Sequence, residues 1–136
     1  MSLKARIRFD FKAEAPSSHF FWRRHDLREA AKKIRNQKVA LLRNLPLQGV
    51  NVQGLELDYE VYLVPGEGHN GDAAYAPAEL VVEADSPEDL IKLTLKEEFR
   101  KIRVLEPQEL SLSHNEMERL IFKMSEEYRN EISEFE

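Results

Sequence analysis

The stretch 78–105, AELVVEADSPEDLIKLTLKEEFRKIRVL, limits what this chain can fold into more than any other. Leu80, Val82 and Ala84 alternate with Val81, Glu83 and Asp85, the period-2 pattern of a strand with one buried face. Ser86-Pro87-Glu88-Asp89 then predicts a helix start. The Ser86 hydroxyl can accept an early backbone N–H, and Pro87 has no N–H to leave unsatisfied. Glu88 and Asp89 meet the positive end of the helix dipole. Leu90, Ile91, Leu93, Leu95 and Phe99 give that helix one apolar side, and residues 101–105 return to alternation before Pro107. Two strands joined through a short helix imply a parallel, right-handed crossover in a layered domain.

The flanking segments extend the pattern. Residues 4–13 alternate cleanly, with Ala5, Ile7, Phe9, Phe11 and Ala13 on one face and Lys4, Arg6, Arg8, Asp10 and Lys12 on the other. After Pro16, residues 19–44 read as one long helix, with Asp26 and Glu29 spaced as a capping box. Leu27, Ala30, Ala31, Ile34, Leu41 and Leu45 recur at helical spacing; a helix ending near Asn36, followed by a short strand at 39–42, fits the same residues. Residues 55–64 alternate as a further strand, and 65–77 read as an irregular loop. Ser113 and Glu116 form a capping box for a last helix over 113–135, with Leu112 and Met117 placed as a hydrophobic staple. Met117, Leu120, Ile121, Met124, Tyr128, Ile132 and Phe135 fall on one stripe of it.

The predicted order is β-α-β-β-α-β with an added helix, an α+β domain of the ferredoxin-like split βαβ type. Its core spans 4–107, and the sheet order would be fourth, first, third, second. A strand at 39–42 would give a related five-stranded sandwich. At 136 residues the chain (1–136) is the size of one domain, and a hydrophobic content of 42% argues against disorder. No apolar run reaches the roughly 20 residues a membrane span needs. Cysteine is absent, which removes disulfides and thiolate chemistry and makes a cytoplasmic location the expectation.

Charge is unevenly spread. Residues 1–45 hold 12 Lys or Arg against 4 Asp or Glu, whereas residues 46–136 hold 8 against 21. On the open sheet face the predicted order sets Arg6, Arg8, Lys12, Lys101 and Arg103 beside Glu56, Asp58, Glu60, Glu79 and Glu83. Such a divided surface suits two-fold self-association. Nucleic acid is the alternative partner, through the basic helix face of Arg24, Arg28, Lys32, Lys33, Arg35 and Lys38. The sheet lacks the outward aromatics of an RNA-binding surface except Tyr62. A third reading places an enzyme at loop 66–72. There His69, with Glu67 and Asp72, offers metal-type ligands, but the segment matches neither a P-loop nor an EF-hand. Phe20, Phe21 and Trp22 beside Arg24 suit a protein contact. No cofactor motif is found, and no catalytic residue is assigned. The expected function is therefore a non-catalytic, self-associating protein-interaction domain. Arg6, Arg8, Trp22, Arg24, Arg28, Lys32, Tyr62 and His69 are its candidate binding residues.

Overall fold

A computed structural model describes residues 2–15, 23–44, 47–69 and 71–135. Within them the chain is α+β, with a five-stranded antiparallel sheet and three helices. β1 is Leu3–Glu14, α1 Arg24–Asn44, β2 Val50–Glu56, β3 Tyr62–Gly68 and β4 Gly71–Ala84. A 3-10 turn, Pro87–Leu90, runs into α2 (Ile91–Thr94), followed by β5 (Phe99–Glu106) and α3 (His114–Phe135). The strand order is β2-β4-β1-β5, and β3 pairs with the other end of β4. β4 and β5 both run antiparallel to β1, so the segment between them joins parallel strands across one intervening strand.

The alternation of β1 is realised in full. Leu3, Ala5, Ile7, Phe9, Phe11 and Ala13 are buried, and Leu80, Val82 and Ala84 of β4 meet them. α1 covers this face with Leu27, Ala31 and Val39, while Leu90 and Leu93 close the end toward β5. Residues 39–42 are helical, which removes the alternative strand.

Three expectations are corrected. Four strands become five, because residues 57–61 leave the ladder and divide the expected strand 55–64 into β2 and β3. The cause lies across the gap, at Pro77. Asp10 donates its N–H to Glu98, on the β5 side, so its register partner Pro77 turns its own backbone toward β2 and β3. Proline brings no N–H to that edge, and the ladder fails there. Arg35 of α1 fills the vacancy, donating from Nη1 to the carbonyls of Leu57 (3.2 Å) and Pro77 (3.5 Å).

The expected loop 65–77 is instead mostly strand, forming the β3–β4 hairpin with Gly68 opposite Gly71. The middle helix is also shorter than expected, ending at Thr94. Phe99 opens β5 and packs edge-on against Phe9, with ring centroids 6.3 Å apart. The expected start at Ser86 is present as a capping box with Asp89, whose carboxylate accepts both the Ser86 N–H (3.1 Å) and the Ser86 hydroxyl (2.9 Å). The first helix begins at Arg24; the part of it expected over residues 19–22, with the contact residue Trp22, lies outside the described residues.

Candidate functional site

Two surfaces carry the side chains that local structure does not account for: the open sheet face and α3. On the sheet face, alternation along β1 turns Arg6, Arg8, Asp10 and Lys12 away from the helices. Asp10 is nevertheless 4% exposed. Arg8 Nε donates to its Oδ1 at 2.9 Å, and the Tyr62 hydroxyl donates to Oδ2 at 2.5 Å. Arg100 Nε stands 3.8 Å from the same oxygen. The Tyr62 ring stacks on Tyr75, with centroids 5.2 Å apart, and the Arg100 guanidinium lies over the outer face of Tyr75 at 5.8 Å. The Tyr75 hydroxyl donates to the Glu67 carboxylate. One carboxylate thus ties together β1, β3 and β5, and two stacked phenols extend the tie to β4.

The electrostatics are those of a clamp. The hydrogen bond to Asp10 raises the Arg8 pKa above its ordinary value. Burial, then the bond to Asp10, pushes the Tyr62 phenol up. Burial and the Glu67 bond push Tyr75 up to about 12. Both phenols are therefore held as neutral donors, and the Asp10 oxygens are already engaged.

This has a measurable consequence at alkaline pH. A phenol whose folded pKa is raised contributes stability that is complete below its unfolded pKa, near 10, and lost as pH rises through about 12. Phenolate absorbance should show a late-titrating group that disappears in Tyr75→Phe, with unfolding across the same window. A folded chain whose tyrosines all titrate together near 10 would contradict this environment.

The candidate binding residues do not converge on one site. Arg8 and Tyr62 meet at Asp10, and Arg6 lies beside them, 4.0 Å from Glu79. Arg24, Arg28 and Lys32 lie on α1, on the covered side of the sheet; Arg24 reaches Asp72 at 3.8 Å and Lys32 reaches Glu29 at 3.4 Å. His69 projects from the hairpin with its Nε2 3.5 Å from Glu14. Among the described residues, no three His, Asp or Glu side chains converge as metal ligands. Asp10, Tyr75 and Arg100 were not singled out from sequence, and Arg35, expected on the basic face of the first helix, is instead buried under it. The available signal for Asp10 was one carboxylate in a strand face otherwise made of Arg and Lys.

α3 begins as its sequence dictates. Ser113 Oγ accepts the Glu116 N–H (3.1 Å), and Glu116 accepts the Ser113 N–H (3.2 Å). That backbone bond lowers the Glu116 pKa. The helix packs on the turn 87–90 and on α2. Its inward side is charged: Glu127 is buried against Lys123 (3.0 Å), Glu131 meets Lys96 (3.8 Å) and Arg119 meets Glu88 (3.8 Å). Most of the apolar stripe faces away from the domain, with Met117 45%, Ile121 57%, Met124 50% and Tyr128 59% exposed, while Leu120 is half-buried. No described helix is long and apolar enough to cross a membrane. In comparisons with known proteins, no family model matches the chain, and no curated protein or solved structure matches it significantly.

Proposed function

We propose that the chain is a non-catalytic protein-interaction domain that self-associates through α3. The observation that carries this reading is the orientation of the helix. It meets its own domain through ion pairs and turns Met117, Ile121, Met124, Tyr128 and Ile132 to solvent. Single exposed apolar residues are ordinary, but a contiguous stripe of them marks an interaction surface.

The occupant that fits is α3 of a second copy. Met117, Ile121, Met124 and Tyr128 are spaced i, i+4, i+7, i+11, the seam of paired helices. A symmetric pair buries the same stripe on both sides. Five large side chains, each exposing on the order of 100 Å², give roughly 500 Å² per copy. Two copies then bury about 1,000 Å², the size at which a specific interface begins. The reading includes a ferredoxin-like split βαβ fold whose second strand is interrupted at residues 57–61, opposite Pro77. Counting β2 and β3 together as that strand supports it, since the sheet then runs fourth, first, third, second. It also includes a cytoplasmic location, which the absence of cysteine supports.

Ile121→Glu with Tyr128→Glu tests the contact, because both side chains are exposed and the fold does not depend on them. Each central anchor is worth about 2 kcal/mol or more, so the double variant should associate at least 100-fold more weakly while keeping its circular dichroism. Unchanged self-association in a folded double variant would overturn the reading.

A further inference from the structure

The open sheet face carries a second observation, independent of α3. Its charges are sorted by strand. Arg6 and Arg8 of β1 stand in register with Arg103 and Lys101 of β5, so like charges face each other directly. On the other half, Glu56 of β2 stands in register with Glu79 of β4, again like against like. Both arrangements disfavour the isolated sheet. The monomer relieves them in part, since Arg8 stands in register with Glu79 and Lys4 with Glu83 where β1 meets β4. Among the described residues, Lys101 and Arg103 make no ion pair, Arg8 turns to Asp10, and Arg6 to Glu79, at 4.0 Å, is the one ion pair between the two halves of the face.

We propose that this face is a docking site for the same face of a second copy, with the basic strip of each copy over the acidic strip of the other. The charge pattern selects the symmetry. A two-fold axis lying in the face and perpendicular to the strands would stack β5 on β5 and oppose like charges. An axis parallel to the strands, between β1 and β4, lays β5 and β1 of one copy over β2 and β4 of the other. Only the second is electrostatically complementary. Four strands about 4.8 Å apart give a footprint on the order of 500 Å², which belongs to the weak, transient class of interface. Stacked sheets are separated by about 10 Å, close to one Debye length at physiological salt, so the contact is salt-sensitive. Together with the α3 contact it would join α3-linked dimers into larger assemblies at low ionic strength.

A charge-swap experiment tests the face. One variant carries Arg6→Glu and Arg103→Glu and presents an acidic face. The other carries Glu79→Lys and Glu83→Lys and presents a basic one. Both also carry Ile121→Glu and Tyr128→Glu, so that the α3 contact is removed and the sheet contact is read alone. Each reversal pair shifts the parent net charge of −5 by four units, in opposite directions. The α3 substitutions make both variants more negative, so net charge does not draw them together. Sedimentation at low salt is expected to show each variant alone as a monomer and the equimolar mixture as a heterodimer that dissociates in high salt. A control reversal on α1, Arg28→Glu with Lys32→Glu, should leave the association of the parent face unchanged. A mixture that stays monomeric with both variants folded overturns the proposal, as does equal loss of association in the α1 control. Binding of a single-stranded RNA probe by the parent face, lost in Arg6→Glu with Arg103→Glu while the mixture stays monomeric, would assign the cations to nucleic acid and overturn it too.

Discussion

Asp10→Ala is expected to lower the free energy of unfolding by about 3 kcal/mol, seen as a reduced urea midpoint with little change in slope. The carboxylate is buried and accepts from Arg8 and the Tyr62 hydroxyl, with Arg100 at 3.8 Å. Its removal leaves the partly shielded Tyr62 hydroxyl and parts of two guanidinium groups without their acceptor. That desolvation penalty is the larger share of the loss. Attraction to Arg8 contributes less, because the Arg8 side chain is 40% exposed and its charge is screened by solvent. Asp10→Asn keeps the shape and one acceptor oxygen, so it should lose less. Tyr62→Phe combined with Asp10→Ala should cost less than the sum of the two single changes, since both remove one bond. A loss below about 0.5 kcal/mol for Asp10→Ala would mean that the network does not hold the sheet together.

Arg35→Ala is expected to cost a similar amount, about 3 kcal/mol. Arg35 is 7% exposed, and burial lowers its pKa. Among the described residues it has no carboxylate partner. Its guanidinium donates to the carbonyls of Leu57 and Pro77 and, through Nε, to Asn36. Truncation would leave two backbone acceptors without a donor at the one place where the sheet ladder is broken, and a cavity beneath α1 as well. Arg35→Lys keeps the charge but not the planar fork, so it should fall between parent and Ala. Hydrogen exchange should localise the loss to residues 57–61 and the adjoining ends of β2 and β3. An Arg35→Ala chain as stable as the parent would show that the break in the strand does not need this support.

Much of the architecture was legible because it rests on local periodicity. The alternation of β1, the helical spacing of α1 and the Ser113–Glu116 cap all follow from residues close in sequence. The β3–β4 hairpin was not legible, for two physical reasons. Ala73, Ala74, Ala76 and Ala78 are poor strand formers by composition, yet Ala74 and Ala76 pack against Leu27 and Ala31, where α1 lies close to the sheet. Tertiary packing overrides propensity there. Pro77 reads as a stop signal, but its missing N–H faces a gap filled from a helix 42 residues earlier. The clamp was hidden by sequence distance, since Tyr62 and Asp10 are 52 residues apart. Asp10 differs from its neighbours in strand alternation only by its sign of charge. For α3, the stripe was readable but the direction it faces was not. That direction depends on Lys96 and Glu88, which take the charged side of the helix inward.

The most direct test of the central claim is the solution mass of the intact chain by light scattering, across concentration, at low and high salt. The α3 contact is apolar and should persist in high salt, giving twice the 15.9 kDa of the chain, with larger species added only at low salt. A mass of one chain at both salt concentrations, throughout the concentration range, would contradict it.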